Sequence, residues 1–171
     1  LLGDDPGAWG SQNEQESRWL ARVAEVPVVE PTSVAQCAAL MAQAFAWSEA
    51  AGTPVIVRIT RALALAVGEA EEPWTLPPPR GGFARHRNRW VSLPQYAVRQ
   101  HHLLHARLRQ VAEMFETSPY DRSAGEGPLG IIAVGAVHEK AVRALGPDAA
   151  RYRRLALSSV WPLPEAAVTR W

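Results

Sequence analysis

The chain has 171 residues, of which 47% are hydrophobic and 20% charged, so it has enough apolar side chains for a packed core and is not expected to be globally disordered. Its 18 Lys and Arg residues nearly balance its 17 Asp and Glu residues, so overall charge gives no support for nucleic-acid binding. The single cysteine excludes an internal disulfide framework and a cysteine-ligated iron–sulfur cluster within these residues. No apolar run approaches the ~20 residues that cross a bilayer.

The two ends of the sequence predict an internal part of a longer protein. Leu1-Leu2-Gly3 is typical of the end of a buried strand that runs into a turn. At the other end, Pro162 and Pro164 precede an acid and an apolar run, which indicates the start of a helix. The alternative is a small complete protein with disordered ends.

After the first strand the sequence predicts a polar loop from Asp4 to Glu16 and a short helix from Ser17 to Ala24. Val26–Pro31 then predicts a short buried strand with a proline on each side of its apolar residues.

A helix and a second strand follow. Ser33 and Gln36 fit a capping box, and Gly52 occupies the position at which a helix ends in the left-handed conformation. The predicted apolar stripe of this helix is Val34, Cys37, Ala38, Met41, Ala44 and Phe45. Pro54–Thr60 is rich in β-branched residues and predicts a strand. Strand, helix and strand together predict a βαβ unit with a parallel sheet.

Residues 66–94 break this pattern with prolines and glycines and predict a linker or extended arm. Ser92 and Gln95 fit a second capping box, which predicts a helix to about Glu116. Its predicted apolar stripe is Leu104, Leu108, Val111 and Phe115.

The last part of the chain predicts a second βαβ unit. An apolar strand at 129–135 is followed by a helix at 136–145 that Gly146 closes, and by a strand at 154–160. The fold class predicted for the whole chain is therefore α/β, with parallel-sheet βαβ units from two adjacent domains.

Several residues are weak candidates for chemistry. His101 and His105 share a helical face, but no carboxylate or cysteine accompanies His101, His102 or His105 nearby, so no metal site is predicted and a solvated or interface surface is favoured. An arginine-rich stretch with Trp90 and Tyr96 allows an RNA-binding arm as an alternative to packing on an acidic protein surface. Its arginines are Arg80, Arg85, Arg87, Arg89, Arg99, Arg107 and Arg109.

The second apolar strand is bracketed by Gly130 and Gly135, and the helix that follows has an N-terminus of the kind that binds anions. A lone glycine at such a turn is usually structural, and His138 beside it is expected to be a turn or interface residue. Cys37 lies on the apolar stripe and is expected to pack in the core.

The best candidate site is the polar loop that follows the first strand. Ser11, Gln12, Asn13 and Glu14 supply both hydrogen-bond donors and acceptors. Open α/β sheets bind ligands at the carboxyl ends of their strands, which is where this loop is predicted to lie. A polar loop whose groups satisfy one another is the alternative.

The same loop carries a family resemblance. Asp4-Asp5-Pro6-Gly7, Ser11-Gln12-Asn13-Glu14-Gln15 and Arg18 resemble the segment D-D-P-G-x-x-S-S-Q-N-E-Q-D-x-R of thiamine-diphosphate-dependent 2-oxoacid:ferredoxin oxidoreductases, above all the α subunits that act on indolepyruvate. Weaker similarities follow in the same order along the chain, at Val28–Pro31, Phe45, Glu49, Gly52–Val55, Arg58–Arg61, His102–Leu104, Glu116–Pro119, Gly130–Ala133 and Trp161–Glu165.

The resemblance implies three parts: the second half of a pyrimidine-binding domain at 1–65, an interdomain arm and helix at 66–127, and the start of a transketolase C-terminal-like domain at 128–171. It implies oxidative decarboxylation of a 2-oxoacid to an acyl-CoA with reduction of ferredoxin. Thiamine diphosphate, Mg²⁺ and [4Fe–4S] clusters would serve the full enzyme, with their main ligands outside this chain.

As partners, the resemblance implies the rest of the α subunit, a β subunit, ferredoxin, a 2-oxoacid and coenzyme A. We expect a cytoplasmic enzyme that binds neither nucleic acid nor membrane, and an isolated chain that is inactive. No catalytic residue is assigned within the chain, and Ser11, Gln12, Asn13 and Glu14 are expected to lie near substrate or cofactor.

The sequence departs from the family where Trp9 and Gly10 replace a common His-Ser. Tryptophan cannot move protons, so substrate identity and activity are in question. The alternative function is a non-catalytic structural or interaction module derived from this family.

Overall fold

The computed structural model describes residues 2–3, 16–70, 75, 78, 82 and 85–171. Within these residues the strands are β1 (Leu2–Gly3), β2 (Val28–Val29), β3 (Ile56–Val57), β4 (Ile59–Thr60), β5 (Arg122–Ala124), β6 (Gly130–Val134), β7 (Arg153–Leu157) and β8 (Ser159–Trp161). The helices are α1 (Trp19–Ala24), α2 (Cys37–Ala51), α3 (Arg61–Leu65), α4 (Arg87–Trp90), α5 (Pro94–Phe115), α6 (Val137–Leu145) and α7 (Glu165–Arg170), with a 3₁₀ helix at Gly146–Arg151. This mixture of helices with parallel strand pairs confirms the predicted α/β class.

In the described part of the chain the strands form small separate sheets. β1 pairs with β4 in parallel. A second sheet has the order β3-β2-β8, and a third has the order β5-β7-β6. The pairs β2–β3 and β6–β7 are parallel, as both βαβ predictions required, while β8 and β5 add antiparallel edges that the sequence did not predict. The division of the chain at residues 65 and 127 stays a prediction.

The strand predicted at 154–160 breaks into β7 and β8 at Ser158. The hydroxyl of Ser158 donates to Gln36 Oε1 at 2.8 Å, and its N–H is held by Asp121 Oδ1. These side-chain bonds replace ladder bonds, so the chain leaves the third sheet here and continues as β8 beside β2. The carbonyl of Ser158 accepts from the N–H of Glu30 at 2.8 Å, which joins the two sheets at one residue.

The strand predicted at 54–60 also divides, here at Arg58. Its N–H still donates to the carbonyl of Val29 at 2.8 Å, but the next two residues pair with β1 instead of β2. The backbone of Arg58 therefore marks the passage from one strand pair to another, and its side chain lies between them.

Helix α2 begins later than predicted, and its buried face differs. The Ser33 hydroxyl does accept from the N–H of Gln36 at 3.3 Å, but Gln36 itself is the N-cap and its side chain accepts from the N–H of Thr32. Phe45, predicted on the apolar stripe, is 52% exposed. Gly52 ends the helix with a φ of 64°, as predicted.

The main core forms where α2 packs against α5 and the β2–β3 pair. The rings of Trp47 and Phe115 meet edge-to-face with centroids 4.9 Å apart. The cluster comprises Val29, Leu40, Ala44, Trp47, Ala51, Val57, Val111 and Phe115. The predicted stripe of α5 is confirmed at Leu108, Val111 and Phe115.

The start of α5 differs from the prediction. Its N-cap is Leu93, with no side-chain cap, so the capping box expected at Ser92 and Gln95 was wrong and Pro94 provides the helical φ in the first turn. Within the described ranges, no helix combines the length and the apolar character that crossing a membrane requires.

Replacing Phe115 by alanine should destabilise the protein by about 3–5 kcal/mol, because the ring is 1% exposed and its removal leaves a cavity against Trp47. Phe45→Ala is the matched control and should cost under about 1 kcal/mol, because half of that side chain is exposed. Urea unfolding of the purified variants measures both costs, and equal losses would contradict the assignment of the buried face.

Candidate functional site

The candidate polar loop follows the carboxyl end of a parallel strand. Gly3 lies opposite Thr60 in the β1–β4 pair, and the chain returns to the described residues at Glu16. Ser11, Gln12, Asn13 and Glu14 lie outside the described residues, so their roles stay a prediction. What the structure describes is the base to which this loop is attached.

The two ends of the loop meet on the side chain of Arg58. Its Nε donates to the hydroxyl of Ser17 at 2.8 Å. A Cβ added to Gly3 would lie 2.7 Å from that hydroxyl and 3.1 Å from Arg58 Nε. Gly3 is thus required for the close approach of β1 to Arg58, and the same guanidinium group binds Ser17 on the other side of the loop.

Arg58 is paired with Glu30, and neither side chain is exposed. Arg58 Nη1 lies 2.6 Å from Glu30 Oε2, and Arg18 Nε lies 3.2 Å from the same oxygen. A buried carboxylate is costly unless it is paired and hydrogen-bonded, and here two guanidinium groups share one oxygen. We call Ser17, Arg18, Glu30 and Arg58 the loop anchor.

The other oxygen of Glu30 reaches the second βαβ unit. Glu30 Oε1 accepts from the N–H of Ala136 at 3.3 Å, at the start of α6. Gly135 turns there with a φ of 58°, and a Cβ on it would overlap the Glu30 carboxylate. The expectation that Gly135 is structural is confirmed. The carboxylate of Glu30, from the same chain, is the negatively charged group at the N-terminus of α6.

Sequence reasoning quoted Glu30 and Arg58 only as parts of the resemblance and gave neither a role. The signal was present, because Glu30 directly follows the apolar pair Val28-Val29 and Arg58 interrupts a run of β-branched residues, and both patterns predict burial. A charge in such a run requires a buried partner. What the sequence could not tell is which two charges pair across 28 residues.

The histidines on α5 have a partner that sequence reasoning missed. His105 Nε2 lies 3.1 Å from Glu25 Oε1, and His101 Nε2 lies 3.4 Å from Glu25 Oε2. The hydrogen bond to His105 is the main cause that lowers the pKa of Glu25. The expectation that no carboxylate accompanies these histidines was wrong, because the fold brings Glu25 from the end of α1, 80 residues away from His105.

Glu25 is also unusual in its backbone. It caps the end of α1 with a φ of 52°, and among the described residues it is the non-glycine residue with a positive φ. Glycine or asparagine is the ordinary residue in this conformation, which costs other residues about 1–2 kcal/mol. No local sequence signal pointed to this glutamate.

A separate cavity of about 580 Å³ lies beside α6 and is lined by Thr32, Ser33, Arg122, Ser123, Ala124, His138, Glu139, Val142, Arg143 and Ala156. Burial, and then the charge of Arg154, lower the pKa of His138, although Glu139 opposes them. The expectation that His138 is a turn or interface residue stays a prediction. Burial raises the pKa of Cys37, whose thiol donates to the Ser33 carbonyl, which disfavours a nucleophilic role.

The arginine-rich stretch contributes a surface around α4 and α5. The guanidinium group of Arg89 lies 4.8 Å from the centroid of the Trp90 ring. A cavity of about 320 Å³ there is lined by His86, Asn88, Arg89, Tyr96, Arg99, Gln100, Leu103 and Arg107. Arg80 lies outside the described residues. Because Arg89 already covers the Trp90 ring, a base could stack on that face only by displacing it.

No family model matches the chain. Over 96% of its length the chain is similar to indolepyruvate oxidoreductase subunit IorA of Pyrococcus horikoshii, with 32% identity. It is 34% identical over 98% of its length to the protein of the same name from Archaeoglobus fulgidus, and 30% identical over 98% to that from Methanothermobacter thermautotrophicus. The chain spans 27% of the length of the first two relatives and 28% of the third.

Replacing Glu30 by glutamine should destabilise the protein by about 3–5 kcal/mol, because Arg58 and Arg18 would lose the buried negative charge that both guanidinium groups contact. Thermal and urea unfolding measure the loss. The same change at Glu69, which is exposed, is the control and should be close to neutral. A Glu30→Gln variant as stable as its Glu69→Gln counterpart would contradict the anchor.

Gly135→Ala should be much more destabilising than Gly146→Ala. Both glycines have a positive φ, 58° and 54°, so alanine is strained at both, by about 1–3 kcal/mol or more. Only at Gly135 does a Cβ meet the Glu30 carboxylate, whereas at Gly146 it meets nothing within 4 Å. A larger loss of unfolding free energy at Gly135 is therefore the result expected from the contact with Glu30, and equal losses would contradict it.

Proposed function

Because this chain belongs to the family of indolepyruvate oxidoreductase subunits named IorA, we propose that it forms part of a thiamine-diphosphate-dependent oxidoreductase that acts on indolepyruvate or another aryl-pyruvate. The reaction is oxidative decarboxylation to an acyl-CoA with transfer of electrons to ferredoxin. The alignment carries this proposal, since 30–34% identity extends along nearly the whole chain.

Thiamine diphosphate, when bound, supplies the carbanion that makes decarboxylation of a 2-oxoacid feasible. The described residues do not fit its diphosphate and Mg²⁺. The group of possible metal ligands among them is Glu25, His101 and His105, and two imidazoles do not suit Mg²⁺, which prefers oxygen ligands. We therefore assign the diphosphate, the Mg²⁺ and the [4Fe–4S] clusters to other parts of the enzyme.

The proposed contribution of this chain is the polar loop. Gln12 and Glu14 orient the substrate or a neighbouring loop through hydrogen bonds, and Ser11 and Asn13 add donors and acceptors beside them. The support is the position of the loop after β1, together with the hydrogen bond from Arg58 to Ser17 and the close approach of Gly3 to the same guanidinium group. A side chain positions a substrate well only when its own loop is held, and the loop anchor provides that restraint.

The guanidinium group of Arg18 adds a donor at the same place. Its Nε contacts Glu30 and its Nη1 contacts Glu16, while within the described residues its buried Nη2 has no hydrogen-bond partner. We propose that this N–H donates to an oxygen of the loop. That bond would fix the distance between the loop and the sheet.

Glu14→Gln in the full enzyme should lower kcat/KM for indolepyruvate about 10-fold, because the amide keeps a hydrogen-bond acceptor but loses the charge, and a hydrogen bond to a charged group is worth about 1.5–3 kcal/mol against about 0.5–1.5 kcal/mol for a neutral one. Glu16→Gln is the matched control, two residues away on an exposed ion pair, and should change kcat/KM less than about threefold. Steady-state rates of ferredoxin reduction measure both.

The result also separates the enzyme from a non-catalytic module. An assembled protein that binds its partner subunit but oxidises no 2-oxoacid would contradict the catalytic proposal and favour the module. Equal rates for Glu14→Gln and Glu16→Gln would keep the activity but remove the role given to Glu14.

A further inference from the structure

Glu25, His101 and His105 bring three potential metal ligands together on the surface between α1 and α5. Each offers one ligand atom, and these atoms all lie within 4.8 Å of one another. The two histidines stand one helical turn apart on α5, with ring centroids 4.3 Å apart, and each reaches a different oxygen of the same carboxylate. His102, the third histidine of the stretch, lies outside this group.

The distances suit a small divalent transition metal. In a tetrahedral zinc site with bonds of about 2.0–2.1 Å, neighbouring ligand atoms are about 3.3–3.4 Å apart. The Nε2 atoms of His105 and His101 lie 3.1 and 3.4 Å from the oxygens of Glu25. A metal would replace the protons that lie between the imidazoles and the carboxylate, and rotations of these partly exposed side chains would bring the three ligand atoms from within 4.8 Å of one another to this spacing.

The chemistry of the ligands points the same way. Two imidazole nitrogens and one carboxylate oxygen form a ligand set typical of zinc and not of Mg²⁺ or Ca²⁺, which prefer oxygen alone. The side chains are 59%, 44% and 35% exposed for His101, His105 and Glu25, so a metal can enter from solvent and keep a water as its fourth ligand. Glu25 caps the end of α1 with a positive φ of 52°, and its carboxylate reaches both histidines of α5.

We propose that Glu25, His101 and His105 form a Zn²⁺-binding site that ties the end of α1 to α5. The site would fix the helix that follows the polar loop, because α1 begins one residue after Arg18 of the loop anchor. The proposal rests on these three side chains and does not depend on the proposed function.

The test uses the full-length polypeptide that carries this chain, purified with its partner subunit and treated with a chelator to remove loosely bound metal. Zn²⁺ is titrated in competition with a chromophoric chelator, and the wild type is compared with His101→Ala and His105→Ala. The matched control is His102→Ala, which removes an adjacent histidine from the same helix but leaves the three ligands in place.

The wild type and His102→Ala should bind one more equivalent of Zn²⁺ than the other two variants, or bind it more than about 100-fold tighter. Zn²⁺ should also raise the Tm of the wild type and of His102→Ala but not that of His101→Ala, because a ligand that binds only the folded state stabilises it. Glu25→Gln keeps a hydrogen-bond acceptor and loses the negative charge, and it should behave like the histidine variants.

Equal Zn²⁺ stoichiometry and affinity in the wild type and His101→Ala would overturn the proposal, as would the absence of saturable binding in the wild type. In that case the two histidines only contact the carboxylate of Glu25 and bind no metal. If His105→Ala fails to fold, His101→Ala still decides the question, because the His101 side chain is mostly exposed and its removal should not disturb the core.

Discussion

The carboxylate of Glu30 has no exposed surface, and its bonds bring together three other parts of the chain. One oxygen is held by Arg58 and Arg18, and the other accepts from the N–H of Ala136. A buried carboxylate that lost any of these partners would be strongly unfavourable, so each partner must be brought to the same point. Gly3 and Gly135 are consequences of this requirement, because a Cβ at either position would collide with a member of this arrangement.

This arrangement also explains how a polar loop can be positioned by a small sheet. β1 and β4 are two residues long and carry little stability of their own. The guanidinium group of Arg58 adds contacts that the two-residue strands lack, since it contacts Ser17 after the loop and approaches Gly3 before it. The described base of the loop thus depends more on charge pairing in the interior than on strand pairing.

The parts of the fold that sequence predicted depend on local signals. Neighbouring residues predict helix α5, because Leu108, Val111 and Phe115 recur at helical spacing. They also predict the end of α2, at Gly52. Helix α2 itself is apolar nearly all round, so its spacing did not tell which side faces the core, and Phe45 was placed on the wrong one. The strand breaks at Arg58 and Ser158 depend on partners far away in the sequence, which periodicity does not record.

The candidate site also has a part that local signals predict and a part that they do not. Composition and resemblance predict the polar loop, whereas its base was missed because Glu30 and Arg58 pair only in three dimensions. The sequence showed two members of the cluster on α5, the histidines four residues apart, but it did not show that a carboxylate lies beside them. A search for acids near His101 in the sequence cannot find Glu25, which reaches it only because α1 ends beside α5.

The junction at Ser158 has a consequence for the order in which the protein folds. Its hydroxyl bonds to Gln36, 122 residues earlier, and β8 then completes the sheet that β2 and β3 began. Contacts between such distant residues are slow to form, because closing the intervening chain has a large entropy cost. During synthesis β8 can cover its edge of β2 only after residues 159–161 leave the ribosome, and until then an edge of this kind can pair with strands of other chains.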